Sequence, residues 1–330
     1  MNKRLVLLVI SIVSSMFLSC NKEENIDTMS GLNDLYLYDF SKAINTKITN
    51  SPEDIENPLA FSKDNNEILF KNDAGVYAVK LDGSDFHVVI PSTSSLLNWD
   101  IALSNNGNDF AYTKDKGGVL YLMNSNGTNE RLITYNIRFK LWKPVWSKDD
   151  NLIACCSDSG IVIVNMNGDY EIVTTEKPAE WYDWSFDSKK LAYSKYSDNQ
   201  YAQIFVFDLE TNKESKITSS PKYCYNAFWR PGKSEIIFTS SSSDYGSDLI
   251  LINADASDKK TIFHQQYINT PTWSPDGTKI AFITENSDLA VIDIDGDNYK
   301  VLNNIPGACM KPIWSPDGKY ILYNRVLPYY

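Results

Sequence analysis

The chain has 330 residues and a formal net charge of −11. An acidic chain lacks the basic surface that nucleic-acid binding needs, so we expect neither a nucleic-acid partner nor electrostatic docking on anionic lipid. With two histidines, five cysteines and no CxxC spacing, the sequence offers no metal site, and we expect no cofactor. The length is ample for one domain with a buried core.

The N-terminus predicts export. Lys3 and Arg4 precede an apolar stretch from Leu5 to Leu18, which is too short for a membrane span and typical of a secretory signal. The segment Phe17-Leu18-Ser19-Cys20 resembles a bacterial lipobox. We therefore interpret residues 1–19 as a lipoprotein signal peptide and Cys20 as the lipidated, palmitate-bearing N-terminus that anchors the protein to a membrane. The alternative is a plain signal peptide cleaved nearby.

Residues 20–30 are polar and predict a tether between the lipid and a folded domain. Within them, Asn21-Lys22-Glu23-Glu24 resembles the signals that send some Gram-negative lipoproteins to the outer face of the outer membrane. This predicts an outer-membrane lipoprotein on the cell surface, with the periplasmic face of that membrane as the alternative.

From residue 31 to 330 the chain repeats one pair of phrases, which predicts a single domain. The first phrase is an apolar or aromatic residue, called the motif residue below, followed by Ser or Arg, a tight turn and a short apolar run. The seven motif residues are Phe61, Leu103, Trp146, Trp184, Trp229, Trp273 and Trp314. Their successive spacings are 42, 43, 38, 45, 44 and 41 residues.

The second phrase is a short strand that ends in Asp, Asn or Lys, and it also occurs seven times. Its copies lie at residues 35–39, 76–80, 120–124, 161–165, 204–208, 249–253 and 289–293. A period of about 40–45 residues with four strands per unit is typical of a β-propeller. The first copy has no motif residue before it, and Trp314 has no such strand after it. The sequence therefore predicts an all-β, seven-bladed propeller of four-stranded antiparallel blades whose last blade is completed by N-terminal strands, with six or eight blades as alternatives.

Two complete motif turns identify a resemblance. The segments Ser274-Pro275-Asp276-Gly277 and Ser315-Pro316-Asp317-Gly318 each follow a Trp. They resemble the WSPDG repeats of TolB-like propellers, which also occur in propeller domains of some peptidases and lyases. The resemblance covers roughly residues 35–330 and implies the fold, whereas function depends on the site that a propeller carries.

Residues for enzyme chemistry are sparse, and we expect no catalytic residue. His87 and His264 are predicted on or just after the outer strands of blades, so they cannot share one site. The lyases that the repeats resemble use a His-rich metal cluster, which two histidines cannot supply. The acidic run Asp293-Ile294-Asp295-Gly296-Asp297 is interpreted as a hairpin turn, because other repeats place Asp-Gly or Asn-Gly there. The four cysteines after residue 30 are expected to be free.

The mouth of the ring is the predicted site. If each motif residue ends an innermost strand, the residues three and four places earlier lie where the chain enters that strand, on the face where propellers usually bind ligands. Three of the eight tryptophans fall in this set, and the other five are motif residues predicted to fill the wedges between blades. The predicted ligand-binding residues are Trp99, Asp100, Trp142, Lys143, Glu180, Trp181, Tyr182, Tyr225, Asn226 and Tyr267.

Aromatic rings beside amides, lysines and carboxylates suit sugars or extended peptides. The prediction is a monomeric, membrane-anchored binding or scaffold propeller that holds a glycan or protein partner over Trp99, Trp142 and Trp181. One alternative is that these aromatics only seal the joints between blades. Others are a lyase or hydrolase that uses Asp100, Glu180 and Asp183, and a purely structural member of an envelope complex.

Overall fold

The computed structural model describes residues 33–50, 57–72, 75–91, 100–114, 118–135, 137–174, 178–196, 201–242, 246–302 and 307–326, without the side chains of 178–180. The signal peptide, Cys20, the tether and Trp99 lie outside these residues. The described residues form 28 strands and contain no helix, hence none long and apolar enough to cross a bilayer.

The strands form seven four-stranded antiparallel sheets, which are the blades of a seven-bladed propeller. The innermost strands are β3 (Asn57–Phe61), β7 (Ile101–Leu103), β11 (Leu141–Trp146), β15 (Pro178–Trp184), β19 (Tyr223–Trp229), β23 (Ile268–Trp273) and β27 (Ala308–Trp314). Each of them ends at a motif residue, as the repeat predicts.

The remaining strands follow in the same order in every blade. Second strands are β4 (Glu67–Asn72), β8 (Asp109–Thr113), β12 (Leu152–Ser157), β16 (Lys190–Tyr196), β20 (Glu235–Ser242), β24 (Lys279–Thr284) and β28 (Tyr320–Val326). Third strands are β5 (Gly75–Lys80), β9 (Leu120–Asn124), β13 (Gly160–Asn165), β17 (Ala202–Asp208), β21 (Gly246–Asn253), β25 (Leu289–Asp293) and β1 (Asn33–Asp39). Outer strands are β6 (His87–Pro91), β10 (Arg131–Leu132), β14 (Tyr170–Thr174), β18 (Lys213–Lys216), β22 (Lys260–Gln265), β26 (Lys300–Val301) and β2 (Ile44–Lys47).

The ring closes as the split repeat predicts. We number the blades 1 to 7, from β3–β6 to the last blade, which consists of β27, β28, β1 and β2. Every residue of β1 pairs with β28, from Asn33 opposite Val326 to Asp39 opposite Tyr320. The first and last described segments therefore hold each other within one sheet, which leaves no unpaired strand at the junction.

The core lies between the blades, and the motif tryptophans fill it. All five are buried, and each belongs to an apolar cluster that joins two neighbouring blades. Four of them also donate an indole hydrogen bond to a backbone carbonyl of the preceding blade: Trp146 to Ala102, Trp184 to Val145, Trp273 to Phe228 and Trp314 to Thr272, at 3.1–3.3 Å. Trp229 Nε1 is buried without a hydrogen-bond partner within the described residues. The interblade role predicted for these five tryptophans is confirmed.

The motif turns share one hydrogen-bond pattern, which explains why Ser follows the motif residue. The Ser274 hydroxyl donates to Asp276 Oδ1 at 2.6 Å and accepts from the backbone N–H of Lys279 at 2.9 Å, so it bridges the turn. The same bridge forms at Ser62, Ser104, Ser147, Ser185 and Ser315. In blade 5 an ion pair between Arg230 and Glu235, at 2.7 Å, lies at the equivalent turn.

The four cysteines after residue 30 are free and buried. Cys155 and Cys156 are neighbours on β12 and belong to different interblade clusters, because successive strand residues face opposite sides of a sheet. The predicted free state of these cysteines is confirmed.

Candidate functional site

The mouth of the ring is built from one repeat position. We call the residues three places before the motif residues the mouth ring, and the end of the propeller where they lie the mouth face; the motif turns lie at the opposite, turn face. The mouth ring comprises Pro58, Asp100, Lys143, Trp181, Asn226, Thr270 and Lys311. In every blade except blade 2, the pairing of the innermost strand with the second strand shifts register at or beside this residue. The mouth ring is thus a ring of β-bulges, which can redirect side chains away from the regular pleat.

Four bulge residues have left-handed backbone conformations although none is glycine. The φ angles are 52° at Lys143, 56° at Asn226, 45° at Thr270 and 50° at Lys311. Such angles are strained for residues with a Cβ atom, above all for the β-branched Thr270. Backbone strain of this kind collects at functional sites when the surrounding structure enforces it. Here the repeated blade structure enforces this backbone strain at the same repeat position in four blades.

Polar contacts connect mouth residues of adjacent blades. Lys311 of blade 7 donates to Asn57 Oδ1 of blade 1 at 2.6 Å. The backbone N–H of Lys143 in blade 3 donates to Asp100 Oδ2 of blade 2 at 2.9 Å. Asn226 of blade 5 lies 3.4 Å, Nδ2 to Oδ1, from Asn269 of blade 6. These contacts hold the bulges in place relative to one another.

Trp181 is an aromatic residue of the mouth ring that is open to solvent. It is 36% exposed, its ring contacts Phe228 of the next blade edge to face at 6.3 Å, and the Lys143 ammonium lies 5.8 Å from the ring centroid. A large apolar surface held between a neighbouring ring and a cation can stack against a planar or cyclic ligand. Of the two predicted tryptophans that the structure describes, Trp181 therefore better fits a ligand platform.

Trp142 and Tyr182 lie differently from Trp181. Trp142 is half-buried and packs against the apolar cluster between blades 3 and 4, which is the sealing role that the sequence left open. Tyr182 is buried; its hydroxyl donates to the Lys143 carbonyl and accepts from the backbone N–H of Cys156 at 3.0 Å. Burial raises the pKa of Tyr182 well above its usual value, so the hydroxyl stays protonated. Through these two hydrogen bonds, the buried Tyr182 hydroxyl holds the Lys143 bulge in place.

The other predicted site residues divide between the mouth and its supports. Tyr225 is half-buried, with its hydroxyl 2.9 Å from the Ser241 hydroxyl, and burial raises its pKa. Asn226 is buried, and its Oδ1 has no partner among the described residues. Tyr267 is half-buried, and its pKa is also raised by burial. Trp99 and the Glu180 side chain lie outside the described residues.

Lysines are more prominent at the mouth than the sequence alone indicated. Lys311 is exposed to solvent, and yet its ammonium is surrounded by the channel wall, so desolvation lowers its pKa. Lys71 at the end of β4 and Lys143 lower this pKa further by charge repulsion, and Asp100 opposes them. Lys71, Lys143 and Asp100 therefore each lie within electrostatic range of Lys311. Lys71 was not predicted, because nothing in one repeat shows that the end of a second strand comes near the mouth ring.

Among the described side chains, Asp100 is the carboxylate of the mouth ring. Asp183 lies next to the motif residue at the turn end of β15, where its carboxylate accepts from Lys148 Nζ at 3.0 Å and from the Trp229 backbone N–H at 2.9 Å. Asp183 therefore does not belong to the mouth ring. It braces blade 4 against blades 3 and 5.

The histidines occupy separate blades. His87 lies on β6 and His264 on β22, both outer strands, as predicted. His264 Nδ1 lies 2.6 Å from Asp248 Oδ1. Across the described ranges, no group of three or more His, Cys, Asp or Glu residues could hold a metal ion.

Comparison with known sequences supports the fold. The sequence profile of the TolB beta propeller domain matches residues 161–288. An uncharacterised protein of Agrobacterium fabrum is 25% identical over 188 residues, which cover 51% of this chain and 61% of that protein. The uncharacterised peptidase YuxL of Bacillus subtilis is 41% identical over 56 residues, or 16% of this chain and 8% of the peptidase. The matched segments cover less than two thirds of either relative.

Solved structures agree on the architecture. A TolB structure from Agrobacterium tumefaciens has a TM-score of 0.57 at 18% identity and covers 91% of this chain and 100% of its own. Oligogalacturonate lyase in complex with manganese has a TM-score of 0.69 at 13% identity, with 91% and 99% covered. A puromycin-hydrolysing peptidase of Mycobacterium tuberculosis has a TM-score of 0.57 at 10% identity, with 76% and 47% covered. Such distant similarity shows the fold alone, and the fold of this chain is similar to that of TolB-type β-propellers.

Proposed function

We propose that this protein is an outer-membrane lipoprotein whose propeller binds a glycan over the mouth ring. The observation that carries the proposal is Trp181, an exposed indole at the mouth of the channel, flanked by Phe228 and by the Lys143 ammonium. A sugar ring stacks on such a face through its C–H groups, while nearby amides and ammonium groups donate hydrogen bonds to its hydroxyls. Few rotatable bonds have to be ordered, because the bulges already hold the wall.

The strained bulges support a binding role. Left-handed Lys, Asn and Thr residues cost conformational energy, and residues held in this way collect at functional sites. In return, the mouth presents preformed side chains from several blades. A rigid site of this kind suits recognition of a partner that arrives already folded or is semi-rigid, such as an oligosaccharide.

The experiment is a titration of oligosaccharides of differing linkage against the parent protein and Trp181→Ala, followed by calorimetry or ligand-observed NMR. Phe186→Ala is the matched control, because Phe186 is 65% exposed on a motif turn of the same blade at the turn face. We expect Trp181→Ala to weaken binding by about tenfold or more, as for a central aromatic contact, and Phe186→Ala to leave it unchanged.

Equal binding by the parent and Trp181→Ala would remove the site, and no binding of any oligosaccharide would remove the glycan. A protein partner is the competing ligand. A photo-crosslinking residue in place of Trp181 that captured a defined protein in intact cells, with none captured from position 186, would replace the glycan by that partner.

The lipid anchor is supported by the apolar segment and the lipobox-like sequence that ends at Cys20. We expect metabolic labelling with an alkyne-palmitate to mark the parent protein and not Cys20→Ser, and the variant to leave the membrane fraction. Protease treatment of intact cells tests the surface location, since a protein on the periplasmic face would be protected. A variant that stayed membrane-bound and labelled would contradict the anchor at this residue.

A further inference from the structure

We propose that the joint between blades 6 and 7 contains a binding site for a small anion, such as chloride, at the guanidinium of Arg325. Arg325 lies near the end of β28, in the blade that closes the ring, and its side chain is fully buried. None of its three guanidinium nitrogens has a hydrogen-bond partner within the described residues. A guanidinium is always charged and carries five N–H donors, so burying it without acceptors is costly.

Blades 2 and 4 show how the repeat provides a counter-ion for a cation at this position. Eleven places after the motif residue, each of these two blades has a lysine where blade 7 has Arg325. In blade 4, Lys195 Nζ lies 4.4 Å from the centre of the Phe205 ring and 2.7 Å from a carboxylate oxygen of Glu214 on the outer strand. The Tyr193 hydroxyl donates to the same carboxylate. Blade 2 has the same arrangement, formed by Tyr112, Lys114, Tyr121 and Glu130.

Blade 7 has this arrangement without its carboxylate. The guanidinium carbon of Arg325 lies 5.4 Å from the centre of the Tyr36 ring, and the Tyr323 hydroxyl donates to Asn45 Oδ1 at 2.8 Å. Asn45 of β2 pairs with the same position of the third strand as Glu214 does in blade 4. A neutral amide therefore occupies the place of the glutamate, and Arg325 lacks the counter-ion that its two equivalents have.

Two carboxylates of neighbouring strands do not replace that counter-ion. Asp34 is opposite Arg325 in the pairing of β1 with β28, and its carboxylate lies 2.7 Å from Lys47 Nζ. Asp288 of blade 6 lies within electrostatic range of Cys309, which is opposite Arg325 on β27. Both acids can offset part of the charge of Arg325 at a distance. Neither hydrogen-bonds the guanidinium, whose N–H groups still need an acceptor.

The surroundings of Arg325 determine what this acceptor can be. Burial raises the pKa of Cys309 to about 12 and holds the pKa of Tyr323 above its usual value, so both groups stay neutral and supply no negative charge. The site is closed, since Arg325 is 0% exposed and a Cβ atom at Gly307 would lie 2.8 Å from Arg325 Nε. An occupant must therefore be small and must be enclosed as the blade forms. A single halide ion meets these conditions, whereas a sugar or a peptide does not.

The test restores the carboxylate that blades 2 and 4 possess. Thermal unfolding is followed in sodium chloride and in sodium gluconate, at equal pH and ionic strength, because gluconate is too large for the closed site. Four proteins are compared: the parent, Asn45→Glu, Asn45→Gln and Arg325→Met. Asn45→Gln is the matched control, since it has the length of Glu and the charge of Asn. In parallel, crystals of the parent and of Asn45→Glu are grown in bromide, which anomalous scattering locates.

We expect the Tm of the parent to be at least about 2 °C higher in chloride than in gluconate, because an ion that binds only the folded state stabilises it. Asn45→Gln should keep this difference. Asn45→Glu should lose it and should unfold in gluconate at or above the Tm of the parent, since its own carboxylate meets the guanidinium. Arg325→Met should show no difference between the two salts. A bromide peak should lie beside Arg325 in the parent and be absent there in Asn45→Glu.

A parent protein whose Tm is the same in both salts would overturn the site, as expected if a water molecule met the donors of Arg325. An equal rise in chloride for the parent and Asn45→Glu would be a general salt effect and would also overturn it. Bromide peaks that lie only at other places would indicate an adventitious ion only. If Arg325→Met does not fold, the pair Asn45→Glu and Asn45→Gln still decides the question.

Discussion

The indole hydrogen bonds between blades can be measured with a pair of substitutions that the chain itself matches. Trp146 and Trp229 are both motif residues and both 5% exposed. Trp146 Nε1 donates to the Ala102 carbonyl at 3.1 Å, whereas Trp229 Nε1 is buried without a partner within the described residues. Changing each to Phe removes a similar volume from an interblade core. The two variants differ in that one loses a hydrogen bond and the other loses an unsatisfied donor.

The hydrogen bond sets the expected difference. Both variants lose packing in an interblade core, and the free-energy cost of that loss cancels when the two variants are compared. Trp146→Phe also loses a buried neutral hydrogen bond, which contributes about 1 kcal/mol net. Trp229→Phe loses none and relieves the desolvation of an N–H group. We therefore expect Trp146→Phe to have a free energy of unfolding at least about 1 kcal/mol below that of Trp229→Phe, or a Tm lower by roughly 2 °C.

Urea unfolding followed by tryptophan fluorescence and by far-UV circular dichroism, at equal m values, gives the two free energies. Trp184→Phe serves as a second hydrogen-bonded case, since its Nε1 donates to the Val145 carbonyl at 3.1 Å. If Trp229→Phe were as destabilising as Trp146→Phe, the hydrogen bonds would contribute nothing and packing alone would hold the blades together.

Three further predictions concern the turns, the closure and the thiols. The Ser274 hydroxyl and the Thr278 backbone N–H hold the pKa of Asp276 below its ordinary 3.8, so this carboxylate stabilises the fold above pH 3.8 and the stabilisation falls away as pH drops further. Asp276→Asn should lower the Tm at pH 7 and flatten its decline between pH 4 and 3, whereas parallel curves would contradict the assignment. Leu35→Ala in β1, at a fully buried position, should cost about 2–5 kcal/mol, whereas Ile44→Ala in β2, 48% exposed, should change the free energy of unfolding by under about 0.5 kcal/mol; equal effects would argue against N-terminal closure. Burial raises the pKa of Cys309 to about 12, so the folded protein should resist a thiol reagent at pH 8 and react only on denaturation, and rapid labelling of the native state would show an open blade joint. The same protection is expected for Cys155, Cys156 and Cys224.

The ring position of the candidate site residues could be predicted from the repeat, whereas the surroundings of each side chain could not. The repeat position that defines the mouth ring was sufficient to place Asp100, Lys143, Trp181 and Asn226 in one ring. It could not separate Trp181, which is exposed, from Trp142, which packs between blades 3 and 4. Trp181 occupies the bulge position of blade 4 and Trp142 the position just before it in blade 3, and what each ring contacts depends on the neighbouring blade. The role of Tyr182 also depends on the neighbouring blade, because its hydroxyl supports the Lys143 bulge through hydrogen bonds with backbone groups of blade 3.

The sequence by itself determined the architecture of this protein. Seven motif residues at nearly constant spacing predict seven similar units, and the unpaired first strand, around Leu35, predicts that the last blade is closed from the N-terminus. The repeat period can be read from the order of the residues along the chain, without knowing which residues are in contact. The tertiary structure decided which polar groups meet. Lys71, Lys143 and Lys311 belong to blades 1, 3 and 7, and only the curvature of the closed ring brings the charges of Lys71 and Lys143 within range of Lys311.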